Sequence, residues 1–177
     1  PLTRLKLQLA MLKQKDISEK MSKDIDEMEK MLNDYLQFAK TQVKENSSKI
    51  NLSTLFNEIQ EELKNENLTF VISEETIFTG RATSLKRCFL NVINNGLIYG
   101  KKVYVSLHKS SNRIIINIED DGPGISEDQY RNVFKPFFRL DKSRSLNKSG
   151  VGLGLAIVED IINSHGGNIQ LGKSQYK

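Results

Sequence analysis

Two clusters of glycine most constrain how this chain can fold. The first is DGPG at 121–124, and the second is GVGLGL at 150–155, which runs directly into the apolar stretch 155–162. Glycine has no Cβ, so its backbone N–H groups can approach a phosphate closely. A glycine cluster that opens a helix also places the positive helix end beside those donors. The pattern predicts a site for a phosphorylated nucleotide, although a tight turn or close helix packing would explain either cluster alone.

The net charge of +4 is concentrated in one loop between the two clusters. Residues 135–148 carry five cations and one carboxylate, which account for the whole net charge: Lys135, Arg139, Lys142, Arg144 and Lys148 against Asp141. A diffuse basic surface would indicate nucleic acid. A single basic loop predicts a small polyanion instead, unless the loop is merely solvated. We therefore expect no nucleic-acid partner.

The remaining composition is that of an ordinary globular protein. No window approaches 18 consecutive apolar residues, so no membrane span is predicted within the chain. The single cysteine, Cys88, lies in an apolar helical run and is expected to be a small buried hydrophobe. One cysteine cannot form an internal disulfide, which fits a reducing cytoplasm. The chain begins at Pro1 rather than methionine, and we expect it to be part of a longer protein.

Residues 1–45 are predicted to form two helices. Apolar residues recur there at spacings of three and four, with a break near 14–18 where Asp16 or Ser18 could cap the second helix. Two such helices form little core alone, so a helical hairpin that pairs with a second copy is expected. The polar run 44–49 is interpreted as a linker. The predicted domains are therefore a hairpin at 1–49 and a second domain at 50–177.

Helices and strands mix without regular alternation after residue 50. We predict an α+β fold in which helices cover one face of a mixed sheet. The predicted helices span about 53–64 (capped by Ser53), 83–99 and 155–164. The predicted strands span 68–72, 77–79, 103–107, 114–118 and 168–171, with a turn at 110–113.

Other nucleotide-binding motifs are absent from the sequence. There is no lysine-containing phosphate loop and no serine/threonine kinase signature. The second glycine cluster reads GxGxG rather than GxGxxG and follows a basic loop rather than a strand, which argues against a dinucleotide-binding fold.

The order and spacing of four motifs resemble those of bacterial sensor histidine kinases. LNVINNGLIYG at 90–100 resembles their N box, EDDGPGI at 119–125 their first glycine box, FKPFFR at 134–139 their F box, and SGVGLGLA at 149–156 their second glycine box. PLTR at 1–4 resembles the end of their H box, and the hairpin resembles their dimerisation and phosphotransfer domain. The resemblance spans essentially the whole chain and looks closest to osmosensor-type kinases. It implies an α/β sandwich ATP-binding domain of the Hsp90, gyrase and histidine kinase type.

The resemblance implies a site for ATP and Mg²⁺. Asn95 would be the Mg²⁺ ligand, since a neutral amide oxygen holds this hard cation without repelling a triphosphate. Asn91, one turn earlier, would touch phosphate or metal through water. Asp121 would accept a hydrogen bond from the adenine amino group, because a carboxylate only accepts. The alternatives are a polar helix surface for the two asparagines and a turn-forming residue for the aspartate.

Further ATP-binding residues are implied by the same resemblance. Gly122 and Gly124 would let the backbone bend beneath the base. Tyr99 and Ile125 would either form the walls of the adenine slot or belong to the core. A mobile lid would bring cations to the phosphates: Arg139, with Lys142 or Arg144. A backbone run would close over the triphosphate: Gly150, Val151, Gly152, Leu153 and Gly154. Ile98 stands where the family often has Lys or Arg, so the resemblance implies one phosphate contact fewer here. Val151 stands where Thr is common.

The phosphoacceptor is expected outside this chain. His108 is predicted on a strand surface and His165 at a helix end, and neither resembles the acceptor of the family. The resemblance places the acceptor histidine upstream of Pro1, so no catalytic residue is assigned here and the chain alone is expected not to autophosphorylate. The implied partners are a cognate OmpR-like response regulator and a second copy in a homodimer. The implied location is the cytoplasmic portion of a protein anchored in the inner membrane.

Three functions remain open at this point. The first is the kinase core of a two-component sensor histidine kinase, which passes the ATP γ-phosphate to a histidine and then to a response-regulator aspartate. The second is a module that binds ATP or docks a regulator without kinase activity. The third is a clamp-type ATPase, against which the hairpin and the F box argue.

Overall fold

Helices and strands follow each other irregularly in the structure, a computed structural model that describes residues 15–40, 45–72, 75–110, 112–140 and 151–176. The α+β prediction is confirmed. In chain order the elements are α1 (Lys15–Lys40), β1 (Ser48–Asn51), α2 (Leu52–Leu63), β2 (Leu68–Ile72), β3 (Ile77–Gly80), α3 (Ala82–Tyr99), β4 (Val103–Ser110), β5 (Arg113–Asp120), a 3₁₀ turn (Glu127–Gln129) and α4 (Gly154–Ser164). Among the helices in these ranges, none has the length and apolar character needed to cross a membrane.

Helix α1 corresponds to the second helix of the predicted hairpin. Its 26 residues extend about 39 Å at 1.5 Å per residue. Asp16 and Ser18, predicted as caps, lie inside the helix rather than before it. Ile25 is buried. Five other apolar residues along the helix are each about half exposed: Ile17, Met21, Met28, Leu32 and Leu36. The first helix of the predicted hairpin lies outside the described residues.

Strand β1 begins within the polar run that was predicted to be a linker. Ser48 already belongs to strand β1, so the prediction of a linker through residue 49 is wrong at its end. The predicted helix cap, Ser53, is also wrong. The cap of α2 is Asn51, whose Oδ1 accepts hydrogen bonds from the backbone N–H groups of Ser53 and Thr54 at 3.0 and 3.3 Å. The helix starts one residue before its predicted start, and its first residue, Leu52, is buried in the core.

The main sheet is mixed, as predicted, with strand order β2-β4-β5. Strand β2 pairs with β4 in parallel, and β4 pairs with β5 in an antiparallel hairpin in which Val103 lies opposite Asp120. Strands β1 and β3 form a separate antiparallel pair that leads into α3. Because β5 returns antiparallel to β4, its end at Asp120 lies beside the start of β4, next to the end of α3.

The predicted last strand at 168–171 is wrong, because these residues form no strand. A strand needs a ladder partner for its backbone groups. The segment after α4 meets the sheet through side chains instead. The backbone N–H of Gln175 donates to Glu119 Oε1 at 3.1 Å, and the ring of Tyr176 stacks on Tyr104 with centroids 3.7 Å apart.

One hydrophobic core lies between the sheet and helices α2, α3 and α4. Alternate residues of β4 (Val103, Val105 and Leu107) are fully buried, as the two-residue period of a strand requires. The rings of Phe56 and Phe89 pack together with their centroids 4.7 Å apart. Cys88 is buried here as predicted, and burial raises the pKa of its thiol to about 12, so it behaves as a small apolar side chain.

His165 joins the end of α4 to the start of α3. Its Nε2 accepts a hydrogen bond from the Arg81 backbone N–H at 3.0 Å, and its Nδ1 lies 2.7 Å from the Ile161 carbonyl oxygen. An amide N–H only donates and a carbonyl only accepts, so the neutral imidazole protonated at Nδ1 satisfies both. The predicted helix-end role is confirmed, and His108 is exposed on β4 as expected.

The contact between α3 and β4 predicts an effect opposite to helix propensity. Alanine normally stabilises a helix by about 1 kcal/mol over glycine. At Gly96, however, a Cβ would lie 2.7 Å from Cγ2 of Val103, a buried and stiff β-branched side chain. We expect Gly96→Ala to lower the free energy of unfolding by about 1–2 kcal/mol in urea denaturation.

Gly172→Ala is the matched control, since a Cβ there meets nothing within 4 Å. Its free energy of unfolding should change by less than about 0.5 kcal/mol. A Gly96→Ala variant as stable as the wild type would contradict this account of the packing.

Candidate functional site

Three of the predicted residues meet where α3 passes the start of α4. Asn91 and Asn95 lie one turn apart on α3, and Gly154 is the first residue of α4. A Cβ at Gly154 would lie 3.7 Å from Asn95 Nδ2 and 3.9 Å from Asn91 Oδ1. The amides therefore face the beginning of α4, whose N-cap residue, Leu153, provides no side-chain hydrogen bond to the helix. Backbone donors at a helix start favour an anion there.

The amide of Asn91 has an unmet hydrogen-bonding requirement. Its Nδ2 is buried and has no partner among the described residues. A buried polar atom without a partner costs about 1–3 kcal/mol, so natural proteins rarely leave one. This N–H₂ group is a donor, and it fits a ligand oxygen such as that of a phosphate or a water.

Asp121 is held at the other end of α3. Its Oδ1 accepts hydrogen bonds from the backbone N–H groups of Lys101 and Lys102 at 2.6 and 2.8 Å. The bonds from Lys102 and Lys101 hold the pKa of this carboxyl below its ordinary value. At neutral pH the side chain is therefore an ionised acceptor, and both of these bonds use the same oxygen. The second oxygen, Oδ2, is the one suited to a ligand.

Glycines let the first glycine cluster approach the end of α3. A Cβ at Gly122 would lie 2.6 Å from Asp120 Oδ1 and 2.9 Å from the Tyr99 carbonyl oxygen. The Gly122 N–H donates to Asp120 Oδ1 at 2.8 Å, so Asp120 is the turn-forming aspartate of the pair. Gly124 has a positive φ of 76°, a conformation that favours glycine.

The side chains predicted to wall a base slot are placed as follows. The side chain of Tyr99 is 42% exposed at the end of α3, and Ile125 is partly buried after the turn. Neither belongs to the core cluster, so both are accessible to a ligand.

The second glycine cluster packs against the segment that resembles the F box. Gly152 has a φ of 81°, and a Cβ there would lie 2.7 Å from the Phe138 carbonyl oxygen and 3.2 Å from Cγ of Arg139. The Phe137 N–H donates to the Gly152 carbonyl oxygen at 2.9 Å. Arg139 is thus brought to the edge of the cluster.

Other predicted residues of this cluster have buried side chains or lie outside the described ranges. Val151 and Leu153 are buried, so only their backbone groups could meet a ligand. Gly150, Lys142 and Arg144 fall outside the described residues.

Helix α3 carries the two parts of the site. Asn91, Asn95 and Tyr99 recur every four residues, so they form a stripe about 12 Å long. The asparagine part lies beside α4, and the Tyr99 end lies beside Asp121. Sequence reasoning missed the backbone of Lys101 and Lys102 and the role of Gly100, where a Cβ would lie 2.8 Å from Asp121 Oδ1. The glycine directly after the helix was the available signal.

A cleft of about 430 Å³ lies elsewhere in the described chain and contains none of the predicted site residues. It is lined by Tyr130, Arg131, Phe134, Glu159, Ile169, Gln170 and Leu171. Within the described ranges no group of three His, Cys, Asp or Glu residues could hold a metal. The unpartnered amide and the ionised carboxylate make the α3 stripe, rather than the cleft, the candidate site.

Comparison with known proteins identifies similar chains. The model of the family of histidine kinase-, DNA gyrase B- and HSP90-like ATPases matches residues 80–177, a range that holds α3 and both glycine clusters. The sensor histidine kinase GtrS of Pseudomonas aeruginosa is 34% identical over 173 residues. The match covers 97% of this chain and 36% of GtrS, so the chain spans about a third of that relative.

Two solved structures share the fold. The histidine kinase domain of the E. coli osmosensor EnvZ is 30% identical with a TM-score of 0.55, and the match covers 76% of this chain and 84% of that one. Full-length ShkA in complex with AMPPNP gives a TM-score of 0.71 at 20% identity over 93% of this chain and 36% of ShkA. At that identity the second likeness concerns the fold alone.

The hydrogen bonds to Asp121 predict its behaviour in acid. A carboxyl whose pKa is lower in the folded than in the unfolded state stabilises the fold above its unfolded pKa. That contribution is lost as the pH falls through the folded pKa. Carboxyl-carbon NMR should show Asp121 titrating below 3.8, the ordinary value. Between pH 4 and its folded pKa, the stability of Asp121→Asn should fall less than that of the wild type. A titration at or above the ordinary value would show that the bonds from Lys101 and Lys102 do not form.

Proposed function

Because this chain belongs to the family of histidine kinase-, DNA gyrase B- and HSP90-like ATPases, we propose that it is the kinase core of a two-component sensor histidine kinase. In this proposal the core binds Mg-ATP and passes its γ-phosphate to a histidine of the parent protein, and from there to a response-regulator aspartate. The observation that carries the proposal is the stripe on α3, where Asn91 Nδ2 is buried without a partner and Asn91 Oδ1 lies beside Gly154 at the start of α4. The relative GtrS, a sensor histidine kinase, supports the same class.

We assign adenine recognition to the Asp121 end of the stripe. The carboxylate is ionised and acceptor-only, so its Oδ2 can accept a hydrogen bond from the adenine amino group. Guanine presents a carbonyl oxygen at the corresponding edge, which a carboxylate would repel. Gly122 lets the turn approach the end of α3, Gly124 adopts the positive φ that the turn beneath the base needs, and Tyr99 and Ile125 provide partly exposed apolar surface for the sides of the base.

We assign the phosphates and Mg²⁺ to the asparagine end. The residues fit the ion, since Mg²⁺ prefers oxygen ligands and is usually held by few protein groups together with substrate phosphates. Asn95 supplies the amide oxygen, and its side chain has no hydrogen bond to the rest of the described chain that would compete. The Asn91 Nδ2 donates to a phosphate oxygen. When bound, Mg²⁺ neutralises charge on the phosphates during transfer.

We assign positioning of the γ-phosphate to the second glycine cluster and its neighbour Arg139. Phosphoryl transfer depends mainly on positioning and on charge stabilisation. Arg139 lies against Gly152 and provides a cation there. The backbone of residues 150–154 is proposed to close over the triphosphate, and Lys142 or Arg144 to add charge.

The proposed acceptor is a histidine in another part of the parent protein. During transfer the bond from the γ-phosphorus to the bridging oxygen breaks, a P–N bond forms to the imidazole, and ADP and the imidazole proton leave. Neither described histidine suits this role. His165 uses both ring nitrogens in hydrogen bonds, and His108 is exposed on strand β4 and belongs to neither helix of the proposed site. The proposed partners are an OmpR-like response regulator and a second copy of the chain, and the proposed location is the cytoplasmic part of an inner-membrane protein.

Loss of Asn95 tests the nucleotide site directly. We expect Asn95→Ala to weaken binding of Mg-ATP by tenfold or more in calorimetry, because the metal loses its protein ligand. Asn94→Ala is the matched control, since Asn94 is exposed on another face of the same helix and should bind as the wild type does. Equal affinities in Asn95→Ala and the wild type would refute the assignment of the site.

Phosphotransfer is tested by supplying the acceptor. The chain is incubated with γ-labelled ATP and with a separately expressed histidine-bearing helical hairpin of the parent protein. We expect acid-labile phosphate on the hairpin with the wild type and with Asn94→Ala, and none with Asn95→Ala.

The other candidate functions give different results in that experiment. ATP binding without any label on the hairpin would indicate a binding or regulator-docking module. Steady ADP formation without an acceptor would indicate a clamp-type ATPase.

A further inference from the structure

The helix that carries the proposed site lacks a cap of its own. Helix α3 has Arg81 as its N-cap residue, and this side chain makes no capping hydrogen bond. The first turn contains no acidic residue. The first N–H groups of a helix have no partner within it and need one from elsewhere.

The missing cap comes from a residue 38 positions earlier in the chain. Glu45 Oε1 accepts a hydrogen bond from the Thr83 N–H at 2.8 Å. Its Oε2 accepts from the Ser84 N–H at 3.1 Å and from the Ser84 hydroxyl at 2.9 Å. A carboxylate at this position also interacts favourably with the positive end of the helix dipole.

The charge state of Glu45 fits this role. Burial by itself raises the pKa of the carboxyl, but the hydrogen bonds from Thr83 and Ser84 together outweigh it and hold the pKa below its ordinary value. Glu45 is therefore ionised at neutral pH and accepts all three bonds at once.

The contact made by Glu45 joins the segment before β1 to the start of α3. It lies between α1, which ends at Lys40, and β1, which begins at Ser48. The same helix start is bonded to the end of α4, through Arg81 N–H to His165 and through the Arg81 guanidinium to the Ser164 hydroxyl at 2.5 Å. The start of α3 is therefore the junction of three segments: the chain after α1, the end of α4, and α3 itself.

Helix α3 starts at this junction and helix α4 ends there, and both contribute residues to the proposed nucleotide site. Asn91, Asn95 and Tyr99 lie on later turns of α3, and Gly154 lies at the opposite end of α4. We propose that Glu45 is a positioning residue that links the segment preceding β1 to the nucleotide site by fixing the first turn of α3. Thermodynamic linkage then requires the reverse effect as well, so bound nucleotide strengthens the contact between Glu45 and Ser84. The inference rests on the proposed function, because it concerns the affinity of that site.

The test compares Glu45→Gln with the wild type in two measurements. Glutamine keeps one acceptor oxygen, but its N–H₂ group cannot accept, so at least one N–H of the first turn loses its partner. We expect Mg-ADP affinity to fall by about fivefold in calorimetry, the low end of typical coupling. In the wild type, Mg-ADP should also slow hydrogen exchange of the Thr83 and Ser84 amides. In Glu45→Gln this slowing should disappear, a readout that loss of global stability alone would not produce at a temperature where both proteins are folded.

Two further variants secure the comparison. Glu66→Gln is the matched control, since Glu66 is an exposed glutamate in the turn after α2 and should behave as the wild type in both measurements. Ser84→Ala removes only the hydroxyl bond and gives a milder variant if Glu45→Gln folds poorly. Ser84→Ala should lower Mg-ADP affinity by a smaller factor than Glu45→Gln does. In the Glu45→Gln background, Ser84→Ala should lower the affinity less than it does in the wild type, because the two side chains share one interaction.

The outcomes separate this inference from the proposed function. If Glu45→Gln and Ser84→Ala both bind Mg-ADP within twofold of the wild type, the coupling is overturned and the nucleotide site stands. If the wild type binds no Mg-ADP, the proposed function fails and the coupling fails with it.

Discussion

The structure depends on the close approach of α3 to the main sheet. Gly96 faces Val103 at a distance that leaves no room for a Cβ, so the helix lies directly on the first residue of β4. That contact sets the end of α3 beside the turn into β4, where Asp120 and Asp121 close the neighbouring strand. The same placement brings the middle of α3 against the start of α4. Both parts of the proposed site are therefore consequences of where one helix rests.

Near each end of α3, backbone N–H groups bind a carboxylate from a distant part of the sequence. At the far end, backbone N–H groups of the connection to β4 bind Asp121 and keep it ionised. At the near end, Glu45 provides the negative charge that the first turn lacks. In both places the fold binds a carboxylate with main-chain donors, and such bonds are stronger than those between neutral groups. Helix α3 is thus held at both ends by groups remote in sequence.

Much of the fold was predictable because its signals are local. The helices predicted from apolar residues correspond to α1, α2, α3 and α4, and the two strands predicted on either side of the turn at 110–113 correspond to β4 and β5. The errors arose where a tertiary contact decided the outcome. Burial of Leu52 moved the start of α2 so that Asn51, not Ser53, became its cap. The residues at 168–171 have strand-like composition, but they lack a ladder partner in the described sheet. Ser48 joins a strand because β3 is available to pair with it.

The sequence by itself determined which residue types make up the proposed site, since the types and spacing of Asn91, Asn95, Asp121 and the two glycine clusters are readable without coordinates. It also determined the fold class, because helical and strand periodicities are properties of short segments. Only the tertiary structure decided which atoms of those residues are available. The orphaned Asn91 amide and the single shared oxygen of Asp121 depend on neighbours from other elements. The capping of α3 by Glu45 was likewise invisible in the sequence, since a hydrogen bond between residues 38 positions apart exists only once the chain has folded.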